Sequence, residues 1–564
     1  MAAGTSNTVK ERHADDLFKE FKEVSVTEFF RKNKAHLGYS GKVRSLTTIV
    51  HELITNSLDA CEEAGILPEI FIELKQLGSN HYKFVSRDNG PGIPVKHIAD
   101  VFGKMLAGTK FHRNVQLRGQ QGIGVAGVTM FSQMTTGQPL IIRTCTGDNK
   151  VYEVKLLLDV MKNKADIVEE KVFEQAWRGT EIEGEVKNVQ FNLGDKGPFE
   201  YVKRTAIANP HMKITFIDPE GRKTVFDRVS EVIPDPPKEM KPHPKGMDTD
   251  DLLKMAKTSI GRHIGSFLTT SFSRVTNAKV AEIQALVSFD LKKNPRKLTW
   301  KETEEIVAAI DKIDFMAPPT DGLSPIGEDQ IRKALINVLK PEFETVVSRN
   351  PTTYSGGVPF QVEVAVAYGG SAGRKVGEET RSEIMRFANR SPLLFDPGDC
   401  GLTKATQSVD WKRYGFRDFE HAPVTICVNM VSTFVPYTSA GKQSVSGEEE
   451  ILKEIRFALM EAGRKFQRYH SKKRRDIERE ARLNTLLKYA TELAPSVARL
   501  TGADDEKLLS KLESLIRRKL KYEVEQEEVD EQLQIEDDTA GDDSTEVGGK
   551  EAPLVEEVSE EDEK

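Results

Sequence analysis

Glu52-Leu-Ile-Thr-Asn56-Ser-Leu-Asp59-Ala decides how this chain is to be read. Nothing from Val50 to Glu63 breaks a helix. At about 100° per residue, Glu52, Asn56 and Asp59 fall on one narrow face. Leu53, Ile54, Leu58 and Cys61 point away from it, where a sheet could cover them. A carboxylate and an amide one turn apart have two readings. One is a solvated polar face. In the other, Glu52 polarises a water and Asn56 holds a Mg²⁺, a cation that takes few protein ligands and fills its shell with water and phosphate oxygens.

Two further segments follow within about 75 residues. Tyr82-Lys-Phe-Val-Ser alternates in part like a strand, and Asp88-Asn-Gly90-Pro-Gly92 then forces a turn. Glycines let backbone approach a flat ligand, and a buried Asp accepts hydrogen bonds from an exocyclic amine. An ordinary turn is the alternative. Arg118-Gly119-Gln-Gln-Gly122-Ile-Gly124-Val runs into the apolar stretch Val125 to Met130. Backbone N–H groups at a glycine-rich helix start suit phosphate oxygens. By itself such a glycine pattern is weak.

In this order the three segments resemble the Bergerat-type (GHKL) ATP fold of gyrase, heat-shock chaperones, mismatch-repair clamps and histidine kinases. The resemblance implies ATP and Mg²⁺ as cofactors. It makes Glu52 the general base, Asn56 the magnesium ligand and Asp88 the adenine reader, with Gly90 and Gly92 flanking the base. Thr109 and Lys110 approach the nucleotide. Gly119, Gln120, Gln121, Gly122, Ile123, Gly124, Val125 and Ala126 wrap the phosphates as a lid. Thr180 corresponds to the family's later threonine near the adenine. A Rossmann reading fails on glycine spacing. A P-loop reading of Ala440-Gly441-Lys442-Gln-Ser444 fails because its earlier glycine would fall at Pro436. Lys442 has another use. A lysine on a glycine-supported loop reaches a terminal phosphate as a point charge. Gyrase-like and mismatch-repair ATPases carry such a lysine in a transducer domain.

Further strings narrow the resemblance. They include Val26-Thr-Glu-Phe-Phe-Arg-Lys-Asn33, Lys241-Pro-His-Pro-Lys-Gly-Met-Asp248, Arg386-Phe-Ala-Asn-Arg390 and Asp410-Trp-Lys-Arg-Tyr-Gly415. Across roughly residues 25 to 480 the chain resembles the B subunits of type IIB topoisomerase VI. That implies an α+β multidomain protein. It comprises a Bergerat α/β sandwich, a helical helix-two-turns-helix insert, a transducer α/β domain with a long C-terminal helix, and a disordered acidic tail. It also implies self-dimerisation on ATP binding, capture of double-stranded DNA, and an A2B2 heterotetramer with a DNA-cleaving A subunit. Relaxation and decatenation by double-strand passage would follow, in the cytoplasm of an archaeon and on its nucleoid. A mismatch-repair-like clamp and a chaperone-like ATPase are the competing classes. The linker, the insert and the Asp410 segment argue against both.

The expected organisation is a strap over 1–30 that reaches the partner protomer, then the ATPase domain over 31–228. A proline-stiffened linker from Ile233 to Pro244 precedes the insert over 245–317. The transducer covers 325–485, with strands at 360–368 and 424–431 and a long helix from near Glu448. A helical extension runs over 486–520. The run Arg464 to Arg475 is a solvated basic helix end, or a contact with DNA or the A subunit. Residues 521–564 hold 19 acidic and three basic residues, a net of −16. Since the whole chain is −7, residues 1–520 carry +9. That tail is too charged and too poor in aromatics to build a core. Four distant cysteines, Cys61, Cys145, Cys400 and Cys427, indicate neither a zinc site nor disulfides. No apolar run is long enough to cross a membrane.

Overall fold

The structure is a computed structural model. It describes residues 26–35, 37–104, 115–116, 118, 122, 124–159, 164–439 and 441–519. The expectations for residues 1–25, for Thr109, Lys110, Gly119, Gln120, Gln121 and Ile123, and for the tail from 521 lie outside the described residues.

The first layer is a sheet of eight strands. They are β1 (Glu69–Gly78), β2 (His81–Asp88), β3 (Leu140–Cys145), β4 (Lys150–Asp159), β5 (Lys164–Glu174), β6 (Gly179–Lys187), β7 (Lys213–Ile217) and β8 (Lys223–Phe226). Their order across the sheet is β5-β4-β3-β6-β2-β1-β7-β8. All neighbours are antiparallel except β1 and β7. Alternation sets the inner face: Ile70, Ile72 and Leu74 of β1 are buried, as are Tyr82, Phe84 and Ser86 of β2. Continuing that period, Asp88 also points inward.

The helices of this layer are α1 (Val26–Asn33), α2 (Lys42–Glu63), α3 (Val95–Gly103), α4 (Gly124–Thr136) and α5 (Pro198–Ala208). α2 packs on both α4 and α5, and all three pack on the sheet. Leu46, Ile49, Val50, Leu53, Ile54 and Leu58 of α2 join one core with the inward strand residues. Phe30 of α1 sits in the same core, 5.4 Å from the ring of Tyr39, so the described end of the expected strap packs on its own chain.

An extended, proline-rich segment leads to four helices around a separate core: α6 (Thr249–Thr258), α7 (Ile264–Ser271), α8 (Asn277–Leu286) and α9 (Trp300–Lys312). Side chains start three of them. Asp248 and Thr276 accept the N–H of Asp251 and Lys279, and Thr299 with Glu302 forms a capping box.

After α10 (Glu328–Leu339) comes a six-stranded sheet. Along it lie β10 (Thr352–Tyr354), β11 (Val358–Tyr368), β16 (Val424–Ser432), β14 (Glu383–Ala388) and β15 (Ser391–Leu393), while β9 (Phe343–Ser348) pairs with β11. A small hairpin, β12 (Arg374–Val376) with β13 (Glu379–Arg381), stands apart. β14 and β16 are parallel, joined through α11 (Gly401–Gln407). Every residue of β16 is buried, including the polar Thr425, Asn429 and Ser432.

The long helix α12 is Glu449–Thr501. Two compact units divide within it, at Gln467 and Arg468. In the first unit Ile451, Ile455, Leu459, Ala462 and Phe466 form its buried stripe, with Phe466 stacked 4.2 Å from Phe416. In the second unit Ala490, Ala494 and Ala498 are buried at four-residue spacing, and a final helix spans 505–519. Among the described residues no helix is long and apolar enough to cross a membrane.

Candidate nucleotide site

Asp88 ends β2 with its carboxylate inside. Oδ1 accepts the N–H groups of Gly90 (2.9 Å) and Thr180 (3.1 Å), and Oδ2 accepts the Ser57 hydroxyl (2.9 Å). Burial pushes its pKa above the usual carboxylate range, and the three hydrogen bonds pull the other way. Two oxygens offer about four acceptor positions, so one remains on Oδ2 for an incoming donor. The glycines around it are sterically required. Gly92 has a φ of 75°, and a Cβ there would overlap the carbonyl of Cys145. A Cβ at Gly179, next to Thr180, would overlap the carbonyl of Asp88. The floor of the site is therefore backbone.

Glu52 and Asn56 lie on the outer ridge of α2. Asn56 is exposed, and its Nδ2 donates to the carbonyl of Glu52 at 2.7 Å. That bond turns Oδ1 into the amide's available end, a hard oxygen that fits Mg²⁺. The Glu52 side chain is 27% exposed and stands against the first residue of α4. A Cβ at Gly124 would overlap Glu52 Oε2, so the lid helix meets the carboxylate only because residue 124 has no side chain. The N–H groups of Gly124, Val125 and Ala126 belong to the first turn of α4, which a helix leaves without internal acceptors. The side chain of Ala126 is buried and that of Val125 half-buried against the core, so only their backbone can face a phosphate. Gly122 has a φ of 57°. His51 Nε2 lies 3.8 Å from Glu52 Oε1. Burial lowers the pKa of His51, Glu52 raises it, and the Lys442 ammonium lowers it further.

The ridge departs from the helical wheel at Asp59. Expected beside Glu52 and Asn56, Asp59 is buried instead, because Arg118 covers it at 2.8 Å. Arg118 opens the glycine loop and is itself buried. It also donates to both oxygens of Glu62 (3.0 and 2.7 Å) and to Asn209 (2.7 Å). Glu62 is further bound by His211 at 2.9 Å and by Arg390, at the β14–β15 turn, at 3.0 Å. Burial opposes charge on Glu62, but Arg118 and Arg390, with bonds from His211 and Arg118, hold its pKa well below the usual range.

Lys442 comes to the same place from the second sheet. Its φ is 51°, and its Nζ donates to the carbonyl of Arg118 at 3.2 Å. The loop is fixed by Gln443, whose Oε1 accepts the N–H groups of Leu394 and Phe395 (3.1 and 3.3 Å). Thus Ser57, Gly90 and Thr180 gather on the Asp88 carboxylate, Asn56 bonds the Glu52 carbonyl, Gly124 stands against the Glu52 carboxylate, and Lys442 reaches the carbonyl of Arg118. Sequence reasoning missed Glu62, Arg118 and Arg390 as a set. The one signal in the sequence was the family-like string Arg386 to Arg390.

The family described as Topoisomerase VI B subunit, transducer, matches residues 318–482. The family of histidine kinase-, DNA gyrase B- and HSP90-like ATPases matches residues 41–160. The B subunit of type 2 DNA topoisomerase 6 from Pyrococcus horikoshii is 48% identical, over 92% of this chain and 99% of its own. Its counterpart of the same name from Methanothermobacter thermautotrophicus is 50% identical, over 90% of this chain and 98% of its own. The chain belongs to the B-subunit family of type 2 DNA topoisomerase 6. It is the ATP-driven B subunit of a type II DNA topoisomerase, as the sequence motifs imply. For this topoisomerase 6 family member, the fold expected from sequence also holds: a GHKL ATPase layer, a transducer and a long C-terminal helix.

Proposed function

We propose that two copies of this chain each bind Mg·ATP, dimerise around a DNA duplex and drive it through a second duplex cut by a separate A subunit, in an A2B2 heterotetramer. The observation that carries this reading is the seat of Glu52. Its carboxylate meets the start of the lid helix one turn from the outward amide of Asn56. That is where the terminal phosphate of a nucleotide would lie if its adenine donated to Asp88. In this reading Asn56 Oδ1 would hold the magnesium, which supplies charge neutralisation at the phosphates. Glu52 orients water for in-line attack. The first-turn N–H groups of α4 bind phosphate oxygens, and positioning and electrostatics supply most of the acceleration. Lys442 leaves the Arg118 carbonyl for the γ-phosphate, so the angle of the transducer follows the nucleotide.

In the corresponding division of the chain, the ATPase domain is 31–228, the insert 245–317, the transducer 325–485 and the helical extension 486–520. Thr109, Lys110 and Gly119 to Ile123 complete the nucleotide shell. The machine works in the cytoplasm, on the nucleoid. The test is relaxation of supercoiled DNA by this chain with and without the A subunit of the same source, and with and without Mg·ATP. Relaxation that needs both chains and ATP supports the reading. ATP hydrolysis with no strand passage under any of these conditions would overturn it in favour of a clamp or chaperone.

A further inference from the structure

Arg390 occupies a turn that a glycine would fit better. β14 and β15 pair Ala388 with Ser391, so Asn389 and Arg390 make the whole turn. Both have positive φ, 48° and 65°. Such two-residue turns favour glycine at the second place, because a Cβ crowds the backbone there. Strain of this kind persists where the surroundings fix the residue for a task. The Arg390 side chain is buried, at 4% exposure, and its Nη2 donates to Glu62 at 3.0 Å. Its Nε and Nη1 are also buried and meet no acceptor among the described residues. Burial draws the pKa of Arg390 down to about 10 against the pull of Glu62, so one carboxylate does not make up for the water lost.

The guanidinium borders a cavity of about 240 Å³ between the end of α5, the proline-rich linker and the start of α10. Pro210, Pro234, Pro236, Pro237 and Pro325 give it flat apolar walls. Ser324, on the same wall, is fixed by two hydrogen bonds exchanged with Gln116 (2.9 and 2.7 Å). Gln330 of α10 also lines the cavity, and its Oε1 is buried with no donor. Buried polar groups are rarely left unmet, yet here a donor and an acceptor both border one space. Asp59 and Glu62 line a neighbouring cavity instead. There Arg118 and Arg390 face Asp59 and Glu62, so the buried charges already balance. An anion in the first cavity would add charge close to Glu62, and a cation would meet Arg390.

We propose that this cavity is a binding site for a small, neutral, flat molecule carrying an amide. The ligand's carbonyl accepts from Arg390, its N–H donates to Gln330, and its ring lies against the prolines. An amide suits either orientation of the Gln330 side chain. An apolar cavity of about 150 Å³ holds a benzene ring, so the larger space here admits a ring with an amide. Glu52, Asn56 and Asp88 do not border the cavity, so the site is separate from the nucleotide cleft and does not depend on it. Its occupant would touch the ATPase layer, the linker and the second sheet together.

The experiment is a ligand-observed NMR titration of the full chain, saturated with Mg²⁺ and a non-hydrolysable ATP analogue. The probes are benzamide, benzoate and benzamidine, which share one shape and are neutral, anionic and cationic. Benzamide has about nine non-hydrogen atoms and should bind with a Kd on the order of 1 mM or lower. Benzoate should bind about fivefold more weakly or worse, and benzamidine not at all. Arg390→Met should weaken benzamide about tenfold or more, and Gln330→Leu about threefold or more. Gln330→Leu leaves the Arg390–Glu62 pair intact and decides alone if Arg390→Met does not fold. Failure of all three probes to bind overturns the proposal and leaves ordered water in the cavity. Tighter binding of benzoate than of benzamide overturns the choice of a neutral ligand. Benzamide binding that the folded variants retain in full, or that the ATP analogue abolishes, lies elsewhere and overturns the site.

Discussion

Asp88→Asn should separate nucleotide binding from folding. Asn with its oxygen in the place of Oδ1 keeps the bonds from Gly90 and Thr180. Its Nδ2 then faces Ser57, whose hydroxyl turns to accept. Burial raises the pKa of Asp88 in the folded chain. A raised carboxyl pKa gives a stability contribution present at low pH and lost as pH rises through the folded value. At neutral pH the ionised group therefore opposes folding, and the neutral amide removes that opposition. The thermal midpoint at pH 7 should equal or exceed that of wild type. Binding should respond in the opposite sense. The free acceptor position on Oδ2 becomes a donor aimed at the adenine amine. Losing a hydrogen bond to a charged group costs about 1.5–3 kcal/mol, and the stranded donor costs about 1–3 kcal/mol more. A middle value of about 4 kcal/mol corresponds to a Kd raised on the order of 10³-fold. Calorimetric titration with Mg²⁺ and a non-hydrolysable ATP analogue, beside scanning calorimetry, reads both quantities. A folded variant that binds within about threefold of wild type would refute the adenine assignment. A strongly lowered midpoint would refute the packing argument.

Glu52→Gln should bind ATP and dimerise while turnover falls about 10²- to 10⁴-fold; near-normal steady-state hydrolysis would sink its role as base. Gly124→Ala puts a methyl onto Glu52 Oε2 and should displace that carboxylate. Turnover should then drop about 10²-fold with little change in nucleotide affinity, and an unaltered kcat would show that the Glu52 seat is not needed. Lys442→Ala should lose turnover and coupling to strand passage; unchanged ATPase would show that its loop does not sense the γ-phosphate. His211 is held below its usual pKa of 6.5 by burial, against the pull of Glu62. Glu62 also has a lowered pKa. Both contributions are present above the unfolded pKa and vanish as pH falls, His211 first, from about 6.5, and Glu62 below about 4.5. The melting midpoint should fall on acidification, and His211→Gln should flatten the part between about pH 6.5 and 5. An identical slope in the variant would count against the buried network as its source.

Much of the site was legible because its chemistry is local. The helix period put Glu52 and Asn56 on one ridge, and the strand period carried Asp88 inward behind Tyr82 and Phe84. The glycine loop gave the start of α4. Lys442 was legible only through family likeness, since nothing in its own segment indicates that its ammonium crosses to Arg118. The buried network was hidden for a different reason. Glu62 and Arg390 are 328 positions apart, and Gln116 and Ser324 are 208 apart. Neither pair follows any helix or strand period. The burial of Asp59 was missed on the same account, because a helical wheel knows the helix and not the arginine that covers it.

The bare glycines have a consequence for drug escape. At positions 92, 124 and 179 any side chain collides with backbone or with Glu52. A compound whose contacts in the nucleotide cleft fell on those three stretches of main chain would meet a surface that point mutation cannot reshape without disabling the ATPase. Resistance would have to arise through altered uptake, expression or a distant conformational change.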